Sequence, residues 1–212
     1  MEKCIIFCAG DFDFPASVIS SGDYLIAADG GLIHLNKLNL TPHAIIGDFD
    51  SLGHIPKGAL VFPVEKDDTD SMLAIRHGLA QGYRQFLLYG ALDGPRLDHT
   101  IANLQALQYL ADHDAQGFLI GLNQIATVIK DGKLRFPADA EGIVSVFCMG
   151  ANAEGVSITG CKYTLKNGTL SAGFPLGVSN HFAGEHAEIS VQSGSLLVIF
   201  QRGNFLPEVM PC

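Results

Sequence analysis

Eight aspartates of this 212-residue chain fall in four short segments. They are AADGG with Asp29, IIGDFDSL with Asp48 and Asp50, VEKDDTDSM with Asp67, Asp68 and Asp70, and YGALDGPRLDHTIANL with Asp93 and Asp98. Carboxylates gathered in one place repel one another unless a cation joins them. Magnesium suits such a set, because it takes hard oxygen ligands and commonly keeps waters and phosphate oxygens beside one or two carboxylates. The i, i+2 spacing of Asp48 and Asp50 aims both carboxylates to one side and turns Phe49 into packing. A net charge of −9 argues against nucleic acid or an anionic membrane as partner. If the chain binds a polyphosphate, a divalent cation must mediate much of the contact. A blander reading competes at each position, since Asp is common in loops and at helix starts. Asp68 or Thr69 can cap the helix through Met72, and Asp98 the one through Ile101.

The phosphate side needs donors. Neither GxxxxGK[ST] nor a GxGxxG after the first strand occurs, so the usual nucleotide signatures are absent. Gly30-Gly31 at the start of a helix presents bare N–H groups to an anion. Arg96 can grip a phosphate in bidentate fashion, or simply pair with a neighbouring aspartate. His99 can assist at phosphate, or be one more residue of a helix's first turn.

The elements that must position these residues are legible up to about Leu122. Short apolar runs at 4–8, 24–28, 44–46, 59–62, 86–89 and 118–120 read as strands. Between them lie helical stripes: Leu32, Leu35 and Leu38; Met72, Ile75 and Leu79; Ile101, Leu104, Leu107 or Gln108, and Ala111. Such alternation predicts α/β architecture, a doubly wound, mostly parallel sheet over 1–124. All four acidic segments then follow strands, at the sheet edge where ligands of open α/β folds collect. From 125 to 212 the chain reads as a smaller all-β sandwich or half-barrel, with Asp131-Gly132, Asn167-Gly168 and Ser193-Gly194 as tight turns.

ADGGLIHL, IIGDFDSL, EKDDTDSMLAI and GALDGPRLDHTIANL, in this order and followed by GVSNHF in a β-rich tail, resemble the thiamine pyrophosphokinase family. The resemblance covers nearly the whole chain. It implies transfer of a pyrophosphoryl group from ATP to the hydroxyl of thiamine, giving thiamine diphosphate and AMP, with Mg2+ as cofactor. It assigns Asp48, Asp50 and Asp70 to metal and phosphate, and Asp70, Asp98 and Arg96 to catalysis. Asp29, Gly30, Gly31, Asp67, Thr69 and His99 fall on the nucleotide side. Ser179 and Asn180 match a segment that binds thiamine across a homodimer interface, making 1–124 the ATP and magnesium domain and 125–212 the thiamine and dimerisation domain. Some members stack the pyrimidine on a tryptophan; this chain has none, and Phe200 or an aliphatic neighbour is the expected replacement. A pyrophosphokinase for another alcohol, such as a hydroxymethylpterin, shares these ingredients. So does a non-catalytic nucleotide-binding module, although clustered aspartates without a metal would repel its ligand.

The tetrapeptide GDFD also occurs earlier, at Gly10–Asp13. Its run into Pro15 suits a loop before a first helix, with Gly10 allowing the backbone to approach the nucleotide and the aspartates shaping a turn or capping that helix. His181 and His186 lack companions at metal-ligand spacing and read as surface residues. Five cysteines without a CxxC pair, and an opening apolar run too short for a signal peptide, lead us to expect reduced thiols in the cytoplasm.

Overall fold

The computed structural model describes residues 2–14, 18–49, 53–63 and 68–211. The chain divides into two compact units, Met1–Ala106 with Gly117–Leu122 and Leu107–Gln116 with Asn123–Cys212. Both are built on sheet, and the described residues hold three helices.

The first unit contains β1 (Cys4–Phe7), β2 (Tyr24–Ala28), β3 (Ala44–Gly47), β4 (Leu60–Val61), β5 (Gln85–Tyr89) and β6 (Gln116–Ile120). Their order is β6-β5-β1-β2-β3-β4, and the pairs β1–β2, β1–β5, β2–β3 and β3–β4 are parallel. β1 is buried along its whole length, as a parallel strand covered on both faces must be, and this favours the continuous run CIIF over alternation. Helices α1 (Gly31–Lys37), α2 (Asp70–Ala80) and α3 (Leu97–Asp112) follow β2, β4 and β5. No helix occupies the described residues between β1 and β2, so the one expected after Pro15 is not among them. The arrangement is a mixed, sheet-rich one with few helices.

Helix faces differ from the predicted stripes in an informative way. α2 buries Ser71, Ala74, Ile75 and Gly78, spaced i, i+3, i+4, i+7. Three of those four side chains are small, which lets the helix sit close to the sheet: a Cβ on Gly78 would lie 2.7 Å from the Phe86 ring and 2.8 Å from Cys4 Sγ. A hydrophobicity-based stripe sees only Ile75 of this set. In α3 the buried face runs through Asn103, Ala106, Leu107 and Leu110, while Ile101 is 50% exposed. The stripe is rotated because an amide takes an inner position, which apolar periodicity cannot anticipate.

The second unit contains β7 (Gln124–Lys130), β8 (Gly132–Phe136), β9 (Ile143–Thr159), β10 (Leu165–Leu170), β11 (Gly177–His181), β12 (Ala187–Ser190), β13 (Ser193–Gln201) and β14 (Glu208–Pro211). The order is β14-β8-β12-β9-β13-β7, and β10 and β11 also pair with β9. The recorded pairings in this unit are antiparallel. None of the three predicted turns joins two strands that pair with each other. Asp131-Gly132 is a corner between β7 and β8, where the Asp131 carboxylate accepts the Gly194 N–H at 2.9 Å. Asn167-Gly168 lies within β10 at a register shift, and Ser193-Gly194 starts β13 beside another. Asp131, Asn167 and Gly194 do adopt the positive φ the motifs promise, but bulges and corners use it as readily as hairpins.

Candidate active site

Parallel β4, β3, β2, β1 and β5 point their carboxyl ends the same way, so the segments after them are neighbours in that order. Asp29 leaves β2 with φ 44°, its N–H donating to the Ile46 C=O at 2.8 Å. This places it against the end of β3: a Cβ on Gly47 would stand 3.1 Å from the Asp29 Cα and Cβ. Asp48 follows directly and is half-buried. Phe49 is buried as expected, but at φ 60° rather than in an extended strand. The strand alternation assumed for Asp48 and Asp50 therefore stops at Gly47. A bulky residue in the left-handed region is strained by on the order of 1–3 kcal/mol, which its burial must hold in place. Asp50 and Asp67 lie outside the described residues.

Asp70 is the first residue of α2, half-buried, and close enough to the end of β1 to act on Cys8. Burial, and then the Asp70 charge, push the Cys8 thiol up to about 12. Thr69 is the N-cap, its Oγ1 accepting the Met72 N–H at 3.2 Å. Its neighbour Asp68 pairs with Arg76 at 2.6 Å.

In the segment after β5, Asp93 accepts the Leu122 N–H. Arg96 and Asp98 hold each other, Nη2 to Oδ2 at 2.6 Å and Nε to Oδ1 at 3.3 Å, and each side chain is 65% exposed. The hydrogen bond from Arg96 keeps the Asp98 carboxyl below its ordinary range, and the same bond raises the guanidinium. Crowding among carboxylates would have raised the Asp98 carboxyl instead, so the guanidinium outweighs any repulsion from neighbouring aspartates. His99 is exposed in the first turn of α3. Replacing Arg96 by Met should let the Asp98 carboxyl climb toward its ordinary value, read by NMR titration of its side-chain carbon. The sign follows from linkage: a depressed carboxyl stabilises the fold above its unfolded value and loses that contribution as pH falls through the folded one. An unmoved titration in Arg96→Met would contradict the pairing.

Asp68, Asp93 and Asp98 have the partners named above, and Asp29, Asp48 and Asp70 are half-buried where β2, β3 and the start of α2 meet this edge of the sheet. The first GDFD belongs to the scaffold. Gly10 N–H donates to the Gly90 C=O at 3.0 Å and Asp11 N–H to the Asp93 C=O at 3.3 Å, zipping the segment after β1 to the segment after β5. A Cβ on either glycine would stand 2.6 Å from the other's carbonyl oxygen. Phe12 packs on Phe7, Tyr89 and His34.

Sequence reasoning also missed a buried polar connection. Thr69 Oγ1 lies 3.0 Å from Ser71 Oγ, Ser71 Oγ donates to Asn103 Oδ1 at 2.7 Å, and Asn103 Nδ2 donates to the Ala91 C=O at 2.8 Å. The available signal was an Asn inside an apolar helical stripe.

In the second unit Ser179 is exposed at φ 60°, its N–H donating to Ser145 Oγ at 3.0 Å. Asn180 is buried, and its Oδ1 accepts the N–H groups of Tyr163 and His181, both at 2.9 Å. Its Nδ2 donates to the Tyr163 C=O at 2.6 Å. Most of its capacity is spent clamping Tyr163, which leaves one N–H for any ligand. We expect Asn180→Ala to destabilise the fold by about 2–4 kcal/mol, since it strands the Tyr163 N–H and C=O together; urea unfolding measures this, and a loss below about 0.5 kcal/mol would contradict the clamp. Phe200 is 1% exposed and packs edge-on against Phe136. It is core and does not replace the missing tryptophan on an open surface. His181 and His186 are exposed, as read from sequence. A cavity of about 600 Å3 in this unit is lined by residues that include Arg135, His186, Glu188, Phe205 and Glu208, but neither Ser179 nor Asn180 borders it.

Residues 15–119 match the thiamin pyrophosphokinase catalytic domain and residues 133–196 the thiamin pyrophosphokinase vitamin B1 binding domain. The thiamine pyrophosphokinase of Bacillus subtilis (strain 168) is 27% identical over 183 residues, covering 82% of this chain and 85% of that one. Among solved structures, the thiamine pyrophosphokinase of Bacillus subtilis superposes with a TM-score of 0.84 at 21% identity, over 96% of this chain and all of that one. The thiamin pyrophosphokinase of Geobacillus thermodenitrificans gives 0.78 at 26% identity, over 96% and 99%. The yeast thiamin pyrophosphokinase gives 0.72 at 16% identity, over 95% and 86%, a likeness of fold alone. Two domain matches in this order, spanning most of the chain, show that it belongs to the thiamin pyrophosphokinase family.

Proposed function

We propose that this protein moves the pyrophosphoryl group of ATP onto the hydroxyl of thiamine, releasing AMP. The observation that carries the reading is the pairing, on one chain, of a catalytic-domain match with a vitamin B1 binding match. The half-buried Asp29, Asp48 and Asp70 at the sheet edge support it. The vitamin B1 match also weighs against a pterin as acceptor. A doubly wound description of the first unit belongs to this proposal, supported by a strand order that turns at β1.

In the reaction the thiamine oxygen attacks the β-phosphorus, an O–P bond forms there, and the bond from that phosphorus to the oxygen bridging to the α-phosphorus breaks. The alcohol proton passes to a carboxylate. Asp70 and Asp98 are the two carboxylates offered for this role, and Asp98 is the weaker base while Arg96 holds its carboxyl below the ordinary range, which favours Asp70. Arg96, exposed on its loop, can exchange Asp98 for a phosphate oxygen. Asp29, Gly30, Gly31, Asp67, Thr69 and His99 are assigned to the nucleotide side.

Among the described residues no three His, Cys, Asp or Glu side chains gather at chelating distance. An all-oxygen set of Asp48 and Asp70, with Asp50, still fits Mg2+, which needs only one or two carboxylates when phosphates and water complete its shell. When bound, the ion offsets charge on the transferred group.

A homodimer with thiamine at its interface is part of the reading. Exposed Ile143, Tyr163, Phe174, Leu176 and Val178 on and beside β9 and β11 favour a partner surface near Ser179. A cytoplasmic location is proposed with it; the structural fact is that no helix among the described residues is long and apolar enough to cross a membrane. Incubation with ATP, Mg2+ and thiamine should yield AMP and thiamine diphosphate in equal amounts. AMP only with a different alcohol would move the assignment to another pyrophosphokinase, and none with any acceptor would favour a binding module.

A further inference from the structure

Asn103 sits in α3 at 8% exposure, where an amide without partners would be destabilising. The Ala91 carbonyl 2.8 Å away can only accept, so the atom facing it must be Nδ2, and the orientation of the amide follows from its partner. Oδ1 then faces Ser71, whose single hydroxyl hydrogen must donate to it. With that hydrogen used, the contact between Thr69 and Ser71 can be made only by the Thr69 hydroxyl donating. Thr69 Oγ1 meanwhile accepts from Met72 N–H. Hydrogen bonding thus runs one way, from Met72 through Thr69, Ser71 and Asn103 to Ala91. Thr69 retains no hydroxyl hydrogen for an anion, so its part in the site is exerted through the cap.

We propose that Ser71 and Asn103 are positioning residues for pyrophosphoryl transfer, a directional relay that holds the α2 terminus bearing Asp70 to the segment leading to Arg96 and Asp98. This rests on the function proposed above. Ser71 and Asn103, the inner members of the relay, are buried, and through them it joins the two segments whose carboxylates and guanidinium must meet the same substrate. Misplacement of reacting groups by about 1 Å can lower a rate about a hundredfold.

Ser71→Ala should lower kcat by about ten- to a hundredfold while KM for thiamine stays within about twofold, at equal folded fraction by circular dichroism. Asn103→Asp carries the distinguishing signature. An ionised carboxylate cannot donate to Ala91, whereas a protonated one can. The ratio of variant to wild-type kcat should therefore rise as pH falls through the introduced group's pKa. A Ser71→Ala kcat equal to wild type, or an Asn103→Asp ratio flat with pH, would overturn the relay. Should the wild type form no AMP from ATP and thiamine, the functional reading fails, and hydrogen exchange then decides the relay alone. Faster amide exchange across 91–98 as well as at Met72 in Ser71→Ala supports it, and a change confined to Met72 overturns it.

Discussion

Asp70→Asn is expected to reduce turnover by about 10²–10⁴-fold, the range for removal of a positioned general base, while leaving the protein folded. The two effects separate because of where the residue sits. Thr69, not Asp70, caps α2, and Ser71 carries the buried contact to α3, so the helix start survives the substitution. A carboxylate in the first helical turn contributes only about 0.3–1 kcal/mol through the helix dipole. The loss should thus appear in kcat with a melting temperature lowered by a few degrees at most. A variant retaining more than about a tenth of the wild-type rate would remove Asp70 from the proton-accepting role.

A second large effect is predicted for stability. In most helices Gly→Ala is stabilising by roughly 0.5–1 kcal/mol, because glycine loses more backbone freedom on folding. Gly31 should behave in the opposite sense. A Cβ there would lie 1.8 Å from the Phe7 carbonyl oxygen and 2.4 Å from its carbon, both backbone atoms of fully buried β1. Neither can swing aside, so α1 must shift from the sheet, with a loss of about 3 kcal/mol or more, at or above the upper end of the usual cost of overpacking. Gly94→Ala is the control, since nothing lies within 4 Å of its added Cβ. Urea unfolding of both variants decides the matter, and a Gly31→Ala protein as stable as the control would contradict the packing of α1 on β1.

Parts of this architecture were legible in the residues for definite reasons. The central strands β1, β2 and β5 announce themselves because a parallel strand covered on both faces reads as a continuous apolar run, whereas β4 is only two exposed residues. Acidic segments following those strands then fall at one edge by topology alone. Helix faces were less legible, since α2 packs through Ser71, Ala74 and Gly78, whose small size carries no hydrophobic signal but permits close approach. α3 is rotated from its apolar stripe by a hydrogen-bonded Asn103. In the second unit positive φ was foreseen at Asp131 and Asn167, but its use was not, because a turn and a bulge ask the same of the backbone. The 17-residue β9, which pairs with four other strands, has no local signature of its centrality. Among the aspartates, the pairings of Asp68 with Arg76, Asp93 with the Leu122 N–H and Asp98 with Arg96 were not legible, because spacing along the chain does not say which donor a carboxylate meets. The two copies of GDFD part in the same way, one closing a loop against Gly90 and the other ending β3 beside Asp29.

The central claim is that a two-phosphate unit moves intact from ATP to thiamine, and the fate of the β-phosphorus tests it most directly. With ATP labelled at the β-phosphate, purified enzyme, Mg2+ and thiamine, the label should appear in thiamine diphosphate, attached to the thiamine oxygen, with unlabelled AMP as the other product. Labelled ADP accompanied by thiamine monophosphate would instead show single phosphoryl transfer and contradict the assigned attack at the β-phosphorus.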